Sequence, residues 1–196
     1  QRQMCIRDSC DTGRTEAVVK SALRMLTGDM AKVLSVKVCI GKEGSIIVRQ
    51  DPRELKNRKE AFRLSVSGDT LRITGSDAHG VAYGLLEVSR LLGVSPWEWW
   101  ADATSAKLSA FKLPDGYVNE QAPDVEFRGI FINDEDWGLL PWSSQSYEPG
   151  VKGRIGPKTN ARIFELLLRL RANTYWPAMH ECTQPFFLTE GNRETA

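Results

Sequence analysis

The spacing of apolar and polar positions changes period several times along the chain. Residues 14–27 carry apolar side chains at helical spacing, which predicts an amphipathic helix that ends at Gly28. Residues 33–40 and 45–49 alternate between apolar and polar positions, the pattern of two strands, and a glycine-containing turn separates them. The start of the chain therefore predicts one helix followed by two strands.

The next stretch switches from a period of two to a period of 3.6. Residues 62–66 and 71–74 alternate around a short polar segment and predict a β-hairpin with one buried face. Residues 79–92 then carry one apolar stripe, which predicts a helix ended by Gly93. Together these elements predict a small α/β domain over residues 10–102, with helices that cover one face of a sheet.

Two unusual segments follow this domain. Residues 94–102 contain three tryptophans within four positions, which fit either a sugar-stacking platform or a hydrophobic plug between domains. We favour the plug, because large aromatic side chains more often anchor an interface than bind a ligand. Residues 103–123 have no strong period and contain Pro114 and Pro123, so we expect a linker there.

The sharpest change of pattern comes where an apolar run stops in a group of acids. Residues 127–132 are rich in aromatic and β-branched side chains and predict a short strand buried on both faces. Asn133, Asp134 and Glu135 follow directly. Because ionised carboxylates resist burial unless they are paired, we expect them where the strand opens onto solvent or a cleft. The structural alternative is that the Asn-Asp pair forms a turn or caps a helix.

A second short strand is predicted nearby. A polar loop over residues 137–156 leads into an apolar helix at 158–171 and a strand at 173–177, which makes a βαβ unit with parallel strands. In a β/α barrel the carboxyl ends of such strands border the substrate cavity, which would bring the acids close to Trp176 and His180. Carboxylates beside an exposed tryptophan suit a sugar-processing site, because acids move protons and an aromatic face stacks on sugar C–H groups.

Composition excludes several classes of protein. The chain has 196 residues, 41% of them apolar and 26% charged, with a formal net charge of +1, as expected for a globular protein. No basic stretch is dense enough to suggest nucleic acid, and no apolar stretch is long enough to predict a membrane span. Of the four cysteines, Cys5 lies within residues 1–9, and Cys10, Cys39 and Cys182 are widely spaced, so their pattern predicts neither a zinc site nor a disulfide framework.

The two ends of the chain have separate interpretations. Residues 1–9 resemble the translation of a sequencing-library adapter, so we expect them to stand outside the fold and to contain no natural protein sequence. The last residues lack a closing element. We therefore expect both ends to be truncations, with any export signal lost.

Several runs of residues together resemble a known family. Residues 127–135 read FRGIFINDE, residues 163–170 read IFELLLRL and residues 173–179 read NTYWPAM. These runs resemble glycoside hydrolase family 115, the xylan α-glucuronidases. Residues 80–102 resemble the N-terminal α/β domain that precedes the barrel in that family, and the resemblance covers most of residues 60–196.

The resemblance implies a fold and an activity. The fold is α/β, in which the small N-terminal domain is followed over residues 124–196 by the first βαβ portion of a truncated (β/α)8 barrel. The activity is that of an inverting hydrolase that removes glucuronic acid or 4-O-methylglucuronic acid from xylan without a metal or nucleotide cofactor. The implied substrates are glucuronoxylan and glucuronic-acid-substituted xylo-oligosaccharides. A homodimer and a periplasmic or extracellular location are also implied.

The resemblance assigns roles to particular residues. Asp134 and Glu135 are expected to be active-site carboxylates that bind sugar hydroxyls or position a water molecule. The expected substrate-binding residues are Asn133, Trp176, His180 and Arg128. Arg128 lies within the predicted strand, where it either points toward a substrate carboxylate or forms an ion pair with Glu126 or Asp124.

Other functions stay open from the sequence. A hexosaminidase-like barrel glycosidase is one alternative, and a carbohydrate-binding module without catalysis is another. A phosphate-binding α/β protein is disfavoured, because no glycine-rich loop follows the strand at Ile132. We expect the 196-residue chain alone to be inactive and poorly soluble, since the remaining catalytic groups would lie on later barrel strands.

Overall fold

The computed structural model describes residues 3–8, 16–41, 44–133, 137–178 and 184–196. The chain divides into two compact units, Gln1–Asp124 and Val125–Ala196. The boundary falls directly after the segment predicted as a linker. None of the helices in the described ranges is both long and apolar enough to cross a membrane.

The first unit is built on a mixed sheet of six strands. The strands are β1 (Gln3–Asp8), β2 (Lys37–Gly41), β3 (Ile46–Gln50), β4 (Phe62–Ser67), β5 (Thr70–Gly75) and β6 (Val118–Gln121). Their order is β2-β1-β3-β5-β4-β6. The pairings β1–β2, β1–β3 and β3–β5 are parallel, whereas β4 is antiparallel to both β5 and β6. The predicted hairpin is therefore confirmed as β4–β5.

The helix α2 (Ala78–Leu91) packs against β4 and β5 and agrees with the prediction. Its N-cap is Asp77, whose carboxylate accepts a hydrogen bond of 2.8 Å from the amide of Gly80. Glycines let the helix approach the sheet closely. A Cβ atom at Gly80 would lie 2.2 Å from the carbonyl oxygen of Ala61, and one at Gly84 would lie 2.8 Å from Ile73 Cγ2.

The helix α1 (Ala17–Leu34) is longer than predicted. It continues through Gly28 and ends at Ser35, which has a φ of 55° in the left-handed region. The apolar face continues beyond the glycine, since Met30 and Val33 are both buried. Burial of that face outweighs the helix-ending tendency of a single glycine, so the prediction that Gly28 ends α1 is wrong.

Ion pairs join charged side chains of β3, β4 and β6 to one another and to the segment before β4. Arg63 Nη1 lies 3.1 Å from Glu54 Oε1, and Arg63 Nε donates a hydrogen bond of 2.6 Å to Glu120 Oε2. Arg49 pairs with Glu54, and Arg58 pairs with Glu120. The hydrogen bond from Arg63 is the main reason that the pKa of Glu120 lies below its ordinary value of 4.5.

Three features of this unit differ from the sequence-based expectations. Residues 3–8, expected outside the fold, form β1 and pair with both β2 and β3. Cys5 and Cys39 are register partners on β1 and β2 and form a disulfide with a Cα–Cα distance of 4.7 Å. Their spacing in sequence carries no sign of this register, so no disulfide was predicted. Part of the expected linker, Val118–Gln121, pairs with β4 as β6.

The second unit contains the predicted βαβ arrangement. Its elements are β7 (Gly129–Phe131), α3 (Leu139–Trp142), a π-helical turn (Ser143–Tyr147), α4 (Pro157–Arg169), β8 (Thr174–Trp176), a 3-10 turn (Phe186–Leu188) and α5 (Asn192–Thr195). β7 and β8 are parallel, with Gly129 opposite Thr174 and Phe131 opposite Trp176. Pro157 occupies the first turn of α4, as predicted.

The strand β7 is shorter and more exposed than predicted. The sequence predicted a strand buried on both faces over residues 127–132, but all three residues of β7 are exposed, including Phe131 at 54%. Among the described residues, β8 is the only strand that pairs with β7. Burial on both faces requires more covering elements than the described residues supply, although the apolar composition of the strand is typical of a buried one.

Candidate active site

The carboxyl ends of β7 and β8 bring two of the predicted residues to one edge of the sheet. Trp176 is the last residue of β8, and Asn133 follows β7 by two positions. The amide of Ile132 donates a hydrogen bond of 3.0 Å to the carbonyl of Trp176, so the pairing extends almost to Asn133. Because the strands are parallel, both side chains belong to the edge where ligands bind in α/β folds.

The indole of Trp176 is available to a ligand. It is 56% exposed, and it packs edge-to-face against Phe131 with ring centroids 5.5 Å apart and an interplanar angle of 65°. Such a contact restrains the indole while leaving part of its surface open. This arrangement suits stacking against the C–H face of a sugar ring.

Three other predicted residues lie outside the described part of the chain. Asp134 and Glu135 directly follow Asn133 in sequence, and His180 lies four positions after Trp176. Their predicted roles as active-site carboxylates and as a substrate-binding residue therefore stay predictions.

Arg128 lies at the opposite end of the strand pair. It directly precedes β7, and its guanidinium donates hydrogen bonds to the carbonyls of Arg171 at 2.9 Å, Val125 at 2.8 Å and Glu126 at 3.0 Å. Its backbone amide donates a hydrogen bond of 3.0 Å to the side-chain Oδ1 of Asn173. These contacts join the start of β7 to the turn before β8. A side chain that precedes a strand lies away from the carboxyl end of that strand. The two interpretations of Arg128 from the sequence, contact with a substrate carboxylate or an ion pair with Glu126 or Asp124, stay predictions.

The loop after β7 is anchored by a buried carboxylate. Glu148 is only 5% exposed and accepts hydrogen bonds of 3.1 Å from the amides of Lys158 and Thr159, at the start of α4. The hydroxyl of Thr159 donates to the same carboxylate at 3.2 Å and lies 2.6 Å from the hydroxyl of Ser143. Glu148 therefore satisfies amides that a helix leaves without intrahelical partners.

The close approach of Glu148 requires a glycine at the N-cap of α4. A Cβ atom at Gly156 would lie 2.5 Å from the carboxylate carbon of Glu148. This contact could not be predicted from the sequence, because Glu148 precedes the helix by nine positions and no local periodicity links them. The proline at the first helical position was the only signal of the helix start.

A pair of buried asparagines joins α4 to the segment after β8. Asn160 Nδ2 donates to Asn192 Oδ1 at 3.1 Å and to the carbonyl of Gly156 at 3.1 Å. Asn192 Nδ2 donates to the carbonyls of Ile155 and Phe186 at 3.1 and 3.2 Å. The two chain segments that follow the carboxyl ends of β7 and β8 are thus fixed to the same helix terminus.

The two tryptophans of the loop have different surroundings. Trp142 stacks on Tyr147 with ring centroids 5.1 Å apart and an interplanar angle of 9°, so it helps to fix the loop. Trp137 is 92% exposed. The loop itself is more ordered than the sequence predicted, because α3 and the π-helical turn lie within it.

Comparison with known proteins gives matches of sequence and matches of fold. The family model for glycosyl hydrolase family 115 matches residues 120–196. The structure of a family GH115 4-O-methyl-α-glucuronidase with specificity for decorated arabinogalactans is 56% identical in sequence, with a TM-score of 0.91. That match covers 99% of this chain and 27% of the other, so the chain spans about a quarter of that relative.

More distant structures share the fold alone. A GH138 enzyme targeting pectin rhamnogalacturonan II has a TM-score of 0.61 at 17% identity, and the match covers 95% of this chain and 25% of that one. A mutant β-hexosaminidase from Streptomyces plicatus in complex with GlcNAc has a TM-score of 0.57 at 16% identity, over 88% of this chain and 30% of that one. The order of a small α/β unit followed by a βαβ unit is thus common to several glycosidases.

Proposed function

The chain belongs to glycoside hydrolase family 115, and we propose that the complete protein containing it is an inverting α-glucuronidase. Such an enzyme releases glucuronic acid or its 4-O-methyl ether from a substituted polysaccharide. The observation that carries the proposal is the 56% identity to a 4-O-methyl-α-glucuronidase over 99% of this chain. The exposed Trp176 beside Asn133 at the carboxyl ends of β7 and β8 agrees with a sugar site there.

The proposed mechanism divides the chemistry between this chain and the rest of the protein. Inversion requires a general acid and a general base far enough apart to admit a water molecule on the face opposite the leaving group. In the proposal, Asp134 and Glu135 bind sugar hydroxyls or position that water, and Asn133 adds an amide at the same edge. Trp176 forms a wall that stacks on the pyranose ring. The remaining proton-transferring groups belong to the part of the protein beyond this chain.

The proposed substrate is a polysaccharide that carries glucuronic acid side groups. We propose glucuronoxylan as the first candidate, whereas the 56% identical relative is specific for decorated arabinogalactans. The two polymers share the uronate but differ in the backbone to which it is attached. Activity on each therefore tests which features of the backbone the complete protein recognises.

The deciding experiment measures glucuronic acid release from glucuronoxylan and from a decorated arabinogalactan by the complete protein and by Asp134→Asn. We expect release by the wild type to fall by at least about 100-fold in the variant, as is usual when an active-site group that stabilises the transition state is removed. A β-N-acetylhexosaminide serves as the control substrate. Release of N-acetylhexosamine without glucuronic acid would overturn the proposal, and so would a folded wild type that binds the polymers without hydrolysing them.

A further inference from the structure

We propose that the loop between β7 and α4 carries an additional binding site for an anionic sugar, in which Lys152 and Arg154 bind a carboxylate of the polysaccharide. We name it the loop subsite and define it by these two residues. The inference rests on the proposed function, because it assumes a substrate with several uronates along one chain. It assigns to this loop the recognition of a uronate next to the one that is released.

Two adjacent cavities provide the space for such a ligand. One has a volume of about 610 Å³, and its lining includes Lys152, Arg154, Pro157 and Glu190. The other has a volume of about 670 Å³, and its lining includes Leu140, Gln145 and Lys152. Both volumes lie in the range of small-molecule sites. Lys152 lines both cavities, so one extended ligand that occupies both would pass this ammonium group.

The cations of the loop subsite differ from cations elsewhere in the chain that have partners. Arg63 is held by Glu54 and Glu120, and Arg128 donates to backbone carbonyls. Within the described ranges, Lys152 and Arg154 form neither an ion pair nor a hydrogen bond through their side chains. No side chain in the described part of the chain therefore occupies their donors.

Among the described residues that line the 610 Å³ cavity, the charged side chains favour an anion. Lys152 and Arg154 carry two positive charges there and the exposed Glu190 carries one negative charge. The amides of Lys158 and Thr159 at the start of α4 are already taken by Glu148. Recognition of a carboxylate would therefore depend on the two side chains and not on the helix terminus.

The position of the loop subsite agrees with a role in substrate binding. In a βαβ unit the helix runs antiparallel to the strands, so the start of α4 lies at the end of the unit that holds Asn133 and Trp176. Pro157 lines the cavity at this helix start. Glu148 and the asparagine pair fix the loop to α4, which holds the site in place before a ligand arrives.

The test compares substrates with one uronate and with many. The probes are glucuronoxylan and a xylo-oligosaccharide with a single glucuronic acid, and the complete protein is compared with its Lys152→Gln/Arg154→Gln variant. We expect KM for the polymer to rise about tenfold in the variant, since each lost hydrogen bond to a charged group weakens binding severalfold. We expect kcat and the KM for the single-uronate substrate to stay unchanged. Added salt should reduce the difference between the two proteins.

A matched control removes the same charges elsewhere. Lys20 on α1 and Arg72 on β5 are exposed and line neither cavity. The Lys20→Gln/Arg72→Gln variant should retain the wild-type KM for both substrates. An equal rise of KM in this variant would overturn the loop subsite, because the effect would then follow from net charge alone.

The remaining outcomes separate the loop subsite from the proposed function. If the wild type releases glucuronic acid and the Lys152/Arg154 variant keeps its KM for the polymer, the loop subsite is wrong while the function stands. A lower Tm in that variant with unchanged KM would show that the cavities seat another part of the protein. If the wild type releases nothing, calorimetric binding of glucuronoxylan decides: weaker binding by the variant supports the loop subsite without the hydrolase, and equal binding overturns it.

Discussion

The buried carboxylate of Glu148 gives the sharpest prediction of stability. Glu148→Ala removes the acceptor for two backbone amides and one hydroxyl at the start of α4. A hydrogen bond to a charged group contributes roughly 1.5–3 kcal/mol, and a lost helix cap costs up to about 2 kcal/mol. These contributions overlap, because they describe the same hydrogen bonds, and water can replace part of them at the exposed Lys158. We therefore expect the helix start to lose about 3 kcal/mol of stability against local opening.

Hydrogen exchange of the complete protein, followed by mass spectrometry, measures this loss where it occurs. A change of about 3 kcal/mol corresponds to roughly 100-fold faster exchange of amides in the first turn of α4. Glu148→Gln keeps the shape and one acceptor oxygen, so its effect should be intermediate. Glu194→Ala removes an exposed carboxylate from the same unit and should change exchange little. Wild-type exchange rates in Glu148→Ala would refute the reasoning, since a capping carboxylate cannot be removed without freeing the amides it holds.

Further predictions concern the first unit and the chain as a whole. Gly28→Ala should raise the free energy of unfolding by about 0.5–1 kcal/mol, because the site is a helix interior with nothing within 4 Å of the new Cβ. Gly80→Ala should lower the free energy of unfolding by about 1–3 kcal/mol, because the new Cβ would meet the Ala61 carbonyl. Urea unfolding measures both changes. The hydrogen bond from Arg63 lowers the pKa of Glu120 in the folded protein. Glu120→Gln should therefore destabilise the protein at pH values above the ordinary pKa of 4.5, and this destabilisation should vanish as pH falls through the lower folded-state pKa. Equal destabilisation at pH 7 and at strongly acidic pH would contradict this. The 196-residue chain alone should release no glucuronic acid from glucuronoxylan and should bind a hydrophobic dye through exposed side chains such as Phe131; measurable release would refute this expectation.

Local patterns predicted those parts of the fold that local interactions determine. The hairpin β4–β5 and the helix α2 follow from alternation, a helical stripe and a capping residue that lie close together in sequence. The strand order β2-β1-β3 does not, because it depends on backbone pairing between distant segments. β1 lies between β2 and β3, and no periodicity in any of these strands indicates which neighbour it takes.

The candidate site shows the same division. Asn133 and Trp176 were predicted from strand ends, and a rule of topology suffices to bring them together. For Arg128 the sequence left two interpretations, contact with a substrate carboxylate or an ion pair, and only the structure shows that it lies at the other end of the strand pair, before β7. Glu148 could not be predicted, because its partners come ten and eleven residues later and its role depends on the path of an irregular loop.

The position of β6 at the end of the sheet has a consequence for self-association. An outer strand has backbone groups that can pair with a strand of another molecule, and such edges are common starting points for aggregation. β6 has only four residues, and the ion pairs of Glu120 with Arg58 and Arg63 hold charged groups beside it. An incoming strand would have to bury or displace these charges. The charges beside β6 therefore disfavour pairing with a strand of another molecule. The arginines that bind Glu120 thus both hold β6 in the sheet and oppose aggregation at its edge.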